Sequence, residues 1–122
     1  MNTAGVFKSD KGVIKPKRAT KGSAWYDFYA PETITIDPHS MVQFNSKVRV
    51  YFRDRFVLHI YVIPSLERKG LAIANSVEII DSNYTDNIHA SIINISGKAI
   101  TIKKGDRYIH GIFVPLLTDD ED

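Results

Sequence analysis

The chain has 122 residues, 43% of them hydrophobic and 25% charged, with a formal net charge of +2; this describes one globular domain with a real core, too short for two. It contains no cysteine, which excludes a disulfide framework, a thiolate nucleophile and a cysteine-held metal, and fits a cytoplasmic protein. No apolar run reaches the length of a bilayer and no signal-peptide segment opens the chain, so no membrane role is expected.

Charge is unevenly placed. Lys8, Lys11, Lys15, Lys17, Arg18 and Lys21 crowd the start, while Asp119, Asp120, Glu121 and Asp122 close the chain. Both ends read as solvated segments, or else the basic arm meets phosphates or an acidic neighbour. The modest net charge gives no reason to expect a nucleic-acid partner. The domain is taken as 1–122, with 1–18 as an N-terminal arm or edge strand and 116–122 as an acidic tail.

In chain order, residues 1–10 read as a loose terminus or an edge segment. Lys11 to Arg18 is a candidate strand, confined to an edge by Pro16. The stretch Ala19 to Ala30 is flexible in front and aromatic behind, with Asp27 set among Trp25, Tyr26, Phe28 and Tyr29. Those rings suit a core or a subunit interface, or else an exposed partner-binding patch. Thr33 to Ile36 alternates, and Asp37-Pro38-His39-Ser40 is a turn because proline fixes φ and its neighbours bond locally. Met41 to Phe44 follows.

In Lys47 to Phe52, Val48, Val50 and Phe52 share one face, the pattern of a half-buried strand. Phe56 to Ile63 is a second strong strand, ended by Pro64. Ser65 to Lys69 is the one plausible helical turn, with Ser65 as its N-cap and Gly70 as its stop. From Leu71 the chain reads as nearly continuous strand: 71–80, a polar hairpin tip, 88–95, then 99–103 and 108–115 between short turns. Many short strands at this spacing predict an antiparallel sandwich or barrel. The strand edges of such a chain are hidden by closure or by self-association.

Three blocks resemble one family, the trimeric dUTP diphosphatases. Ala24-Trp25-Tyr26-Asp27-Phe28-Tyr29-Ala30 resembles that family's first motif, Ala-Gly-Tyr-Asp-Leu-Tyr-Ala. The stretch Asn75 to Ile88, with Ile80-Asp81 and Tyr84, is similar to the third, Asn-x-x-Gly-x-Ile-Asp-x-x-Tyr-x-Gly-x-Ile. Gly105-Asp106-Arg107 with Ile112-Phe113-Val114-Pro115 resembles the fourth. The resemblance implies a jelly-roll-like β-barrel, a threefold homotrimer, and sites formed between subunits. It further implies that Asn75, Ile80 and the backbone of 79–81 face the base of a deoxyuridine nucleotide, and that Tyr84 lies on the deoxyribose. Asp81 would orient the attacking water, and Asp27 would touch the water shell of a Mg²⁺ ion. A carboxylate suits the first task, and magnesium prefers phosphate and water oxygens to a full protein cage.

The same comparison finds departures. Counting back from Gly70, the second motif's arginine and serine fall on Val62 and Ile63. The fourth motif's glutamine is His110, the first motif's glycine is Trp25, and Glu78 and Asp86 replace two hairpin glycines. The fifth, glycine-rich motif is not found. Arg107, His110, Arg68 and Lys69 remain as phosphate-side candidates. Triphosphate cleavage depends on preorganised cations, so the residues predict a dUTPase-fold protein with a degraded phosphate site. Such a protein would be a nucleotide- or partner-binding module or a structural trimer, and a packing role in a viral particle stands open. The alternative is a working Mg²⁺-dependent enzyme yielding dUMP and pyrophosphate. Asp81 and Tyr84 also admit plainer roles, as a turn residue and a packed aromatic.

Overall fold

The computed structural model describes residues 3–53 and 55–122. These form eleven strands and one short helix. In chain order they are β1 (Gly5–Ser9), β2 (Tyr26–Tyr29), β3 (Ile34–Ile36), β4 (Met41–Asn45), β5 (Val48–Phe52), β6 (Phe56–Val62), α1 (Pro64–Glu67), β7 (Leu71–Ile73), β8 (Glu78–Ile80), β9 (His89–Asn94), β10 (Ile100–Ile102) and β11 (Arg107–Pro115). They pair into a four-stranded sheet β2-β11-β6-β8, a three-stranded sheet β4-β9-β7, and two pairs, β1-β5 and β3-β10. Every ladder is antiparallel.

Alternating side chains set which faces turn inward. Val48 and Val50 are buried while Arg49 and Tyr51 point out. Along β9, Ala90, Ile92 and Asn94 go inward and His89, Ser91 and Ile93 stay part-exposed. The core gathers Phe28, Ile36, Leu58, Ile60, Ile88 and Ile109, all fully buried, with Phe7 against Tyr26, Phe28 and Phe113 at centroid distances of 5.2–5.5 Å. Each large apolar side chain so buried contributes about 1.5–3 kcal/mol.

The expected all-β barrel-like architecture is observed, with four local differences. The N-terminal edge strand is Gly5–Ser9 on β5, not Lys11–Arg18, where only Lys17 forms an isolated bridge, to Asp27. The cap position of the helical turn falls two residues before the expected Ser65: Pro64 sits at the first helical position, Ile63 precedes it without any side-chain cap, and Ser65 lies inside. Pro64 needs no N–H partner there, so no cap serine is required. The run 71–80 is two strands in different sheets. Ser76 takes φ 67°, and a tight turn (Ser76 N–H to Ile73 O, 2.9 Å) redirects the chain. Consequently β8 pairs with β6, while β9 pairs with β7 and β4, so the polar tip at 81–87 links two sheets and is not a simple hairpin.

Candidate functional site

That sheet-to-sheet link borders an open cavity of about 420 Å³ lined by Gln43, Glu78, Ile79, Ile80, Asp81, Tyr84, His89 and Ser91. Gln43 faces Ser91 across the β4–β9 register. The tip is locked by hydrogen bonds on one carbonyl: the Tyr84 hydroxyl donates to Asn87 O at 2.7 Å, and His89 Nδ1 lies 3.0 Å from the same oxygen. A carbonyl acceptor there requires a proton on Nδ1. Arg49 ties down the far side, donating to Asn87 Oδ1 and Thr85 O and lying 3.7 Å from Asp86. Burial first, then Asp86 and Glu78, push the Tyr84 phenol above its ordinary value, with Arg49 opposing. The hydroxyl's hydrogen bond to Asn87 O holds the ring in place. The Asp81 carbonyl accepts from Tyr84 N–H at 3.0 Å, while its side chain is exposed and able to orient a water.

A second cluster lies on the outer face of β2, β11 and β6. Asp27 stands opposite His110 in register, and His110 opposite Tyr61. Arg107 Nη1 approaches Asp27 Oδ2 at 3.7 Å. The Trp25 ring stacks on His110 with centroids 4.0 Å apart and planes 9° apart, and Tyr61 meets Trp25 edge-on at 5.4 Å. Trp25, 36% exposed, roofs His110, 8% exposed. Burial holds the His110 imidazole below its ordinary 6.5, with Asp27 pulling the other way. Among the described residues no three of His, Cys, Asp and Glu gather as a metal cage. A lone carboxylate fits a Mg²⁺ ion held mainly by waters and phosphate oxygens.

A family model for dUTPase matches residues 11–121 of this sequence. The chain belongs to the dUTPase family. Among its curated relatives is the deoxyuridine 5′-triphosphate nucleotidohydrolase of Lactococcus lactis subsp. lactis, 34% identical over 118 residues, covering 91% of this chain and 79% of the relative. The crystal structure of the dUTPase from Streptococcus mutans superposes with a TM-score of 0.83 at 29% identity, covering 93% of this chain and 98% of that one. A mutant dUTPase of phage phi11 of Staphylococcus aureus, described as coordinating a structural Mg(II) ion, shares the fold with a TM-score of 0.83 at 19% identity, covering 97% of this chain and 94% of that one. No helix among the described residues is long and apolar enough to cross a membrane.

Within this dUTPase fold, Ile80, Asp81 and Tyr84 share the cavity, and Asp27, Arg107 and His110 share the outer cluster. Asn75 sits apart, exposed in the 74–77 turn, where its carbonyl accepts from Val77 N–H at 2.7 Å. Arg68 and Lys69 close α1, and Lys69 lines a separate cavity with Ser96, Gly97 and Lys98. Gln43, His89 and Ser91 were not foreseen, although the alternation His89-Ala90-Ser91-Ile92 does mark a polar face on β9. The two clusters are far apart within one chain. Asp81 follows Ile80 three strands from β2, and four rows along the sheet from the row of Asp27 and His110. That is roughly 20 Å by strand spacing and rise.

Proposed function

We propose that this dUTPase-family protein hydrolyses dUTP to dUMP and pyrophosphate in a site completed by a second copy of the chain, in a homotrimer. The observation that carries the reading is the cavity at the 78–91 link, where Ile80, Asp81 and a locked Tyr84 converge. Backbone groups of 79–81 would read the uracil, the Tyr84 ring would pack on the deoxyribose, and Asp81 would orient the attacking water. Relatives named as deoxyuridine 5′-triphosphate nucleotidohydrolases at 30–34% identity support hydrolysis over the reading in which the phosphate site is degraded. The roughly 20 Å between Asp81 and Asp27 supports completion between copies, since one nucleotide held at Asp81 does not reach its own chain's Asp27. Asp27 would hold the water shell of Mg²⁺, which supplies charge neutralisation on the phosphates when bound. Arg107 and His110 would face the phosphate oxygens.

We read the chain as a divergent member, because Val62 and Ile63 occupy the places of the second motif's arginine and serine. The Trp25–His110 stack also favours a second reading, a nucleotide-binding module without turnover, since it covers the group at the glutamine position. Pyrophosphate release from dUTP with Mg²⁺ decides between them. Turnover that falls by 10²-fold or more in Asp81→Ala, on the order expected for loss of a general base, supports hydrolysis. Thermal stabilisation by dUTP with no pyrophosphate released rejects it in favour of binding alone.

A further inference from the structure

The segment before β2 is stitched directly to the residue at the centre of the outer cluster. Lys17 N–H donates to Asp27 O at 3.2 Å, and Asp27 N–H donates back to Lys17 O at 2.8 Å. Residues that exchange both bonds in an antiparallel pair project their side chains to the same side. Lys17 therefore shares the face of Asp27. Its ammonium lies 5.7 Å from the centroid of the Tyr29 ring, and Tyr29 is the register partner of Arg107. Two cations thus overhang one stretch of β2 from its two sides, Lys17 from the N-terminal segment and Arg107 from β11. Their backbones are roughly 12 Å apart, two strand spacings across and two residues along.

The two cations are not equivalent. Arg107 is engaged with Asp27, whereas the ion pairs among the described residues give Lys17 no carboxylate partner. Neighbouring contacts hold the segment in place: Pro16 is buried, Arg18 lies over the Tyr26 ring at 5.8 Å, and Arg18 Nη1 donates to Lys21 O at 2.6 Å. An ammonium carried by a fixed backbone and resting on an aromatic face loses less freedom on binding an anion than one on a loose arm.

We infer that Lys17, together with Arg107, grips the phosphate oxygens of the nucleotide, taking the place left by Val62 and Ile63. This rests on the hydrolytic reading above, and it assigns to the basic N-terminal stretch a ligand of stated chemistry, a di- or triphosphate.

The test uses the full chain and the fluorescence of Trp25, the single tryptophan, which lies against His110 within the same cluster. Calorimetry provides a parallel readout. Wild type, Lys17→Met, Lys17→Arg and Lys15→Met are titrated with inorganic pyrophosphate, dUTP and deoxyuridine. Lys17→Met should weaken pyrophosphate and dUTP about tenfold, the scale of one lost charge-assisted hydrogen bond. Deoxyuridine should change less than twofold, and Lys17→Arg should retain most of the affinity.

Equal losses for all three ligands overturn the inference, as does no loss for any. A Lys15→Met loss matching Lys17→Met overturns it too, since that would mark a diffuse field and not a grip. A wild type that binds pyrophosphate through Lys17 yet never turns over dUTP sinks the hydrolytic reading alone. A wild type that hydrolyses dUTP with Lys17→Met unchanged sinks only this inference.

Discussion

Asn94 offers the sharpest test of what holds the sheets together. It is 0% exposed at the end of β9. Its Nδ2 donates to Ile36 O in β3 at 2.9 Å and to Lys98 O at 2.8 Å, while its Oδ1 accepts from Ser96 N–H at 2.9 Å and from Ser96 Oγ at 2.7 Å. One side chain thus clips the β4-β9-β7 sheet to the β3-β10 pair and shapes the following turn. Asn94→Ala strips the Ile36 carbonyl of this donor and leaves Ser96 N–H short of a partner, while Lys98 O keeps the Ser96 hydroxyl at 3.0 Å. At about 1–3 kcal/mol for each buried group left unpaired, the cost should be roughly 3 kcal/mol. Domains of this kind are stable by about 5–15 kcal/mol, so the variant should remain folded and measurable. Urea denaturation at one fixed protein concentration gives the number, the concentration being held because the proposed self-association would add to apparent stability. Ser96→Ala, removing a shallower partner, should cost about 1 kcal/mol or less. Asn94→Asp keeps the shape but turns a carboxylate towards two carbonyl oxygens, so it should be worse than alanine at neutral pH. It should recover as pH falls and the buried acid takes a proton. An Asn94→Ala loss below about 1 kcal/mol, or one no larger than that of Ser96→Ala, would refute the clip.

Three further outcomes follow from single residues. The folded chain refuses a proton on His110 that the unfolded chain accepts near the ordinary 6.5. Its contribution is therefore complete above that pH and is lost as pH falls below it; His110→Gln should flatten the decline, and parallel melting curves from about pH 7 to 5 would contradict the burial argument. The Tyr108 hydroxyl is buried without a hydrogen-bond partner, and burial pushes its phenol upward. Tyr108→Phe should be neutral or stabilising by up to about 1 kcal/mol in urea melts, and a clear loss would disclose a partner. Gly70 has φ 115°, and an added Cβ would lie 2.8 Å from Ser96 Cβ. Gly70→Ala should cost about 2 kcal/mol, against less than about 0.5 for Gly97→Ala, where nothing lies within 4 Å; equal melting temperatures would refute the difference.

What could be read from the residues depended on how local the cause was. The alternation of Val48, Val50 and Phe52 is a property of one strand and foretold β5. The Asp37–Ser40 turn is closed by Ser40 N–H on Asp37 O, as proline at 38 suggested. The break between β7 and β8 is marked only by Asn75-Ser76, a weak turn signal without glycine or proline, and it is Ser76 that adopts the left-handed conformation. Within the site, Ile80, Asp81 and Tyr84 were legible because one short motif carries all three. Gln43 joins them only through the β4–β9 register, and Trp25 meets His110 only through the β2–β11 register. Registers between distant strands are fixed by packing of whole faces, which no short window of sequence contains.

Charge differs in sign between the two regions. The cavity at Tyr84 is bordered by Glu78 and Asp81, with Asp86 beside it, and Arg49 offsets only Asp86. A phosphate oxygen brought within about 6 Å of one uncompensated carboxylate meets a repulsion on the order of 3 kcal/mol at an effective dielectric near 20. Several such groups disfavour the outer phosphates within that cavity and leave it acceptable to a neutral base and sugar, with the phosphate attacked through the proposed Asp81 water at its edge. The outer cluster has the opposite sign, with Lys17 and Arg107 against the single carboxylate of Asp27. Because the two regions lie roughly 20 Å apart on one chain, the proposed shared site would match a nucleotide's charge gradient by bringing the acidic end of one copy to the basic end of another. Glu78 and Asp86, at two of the third motif's glycine positions, therefore support the proposed shared site: they favour cations from a second copy around the phosphates.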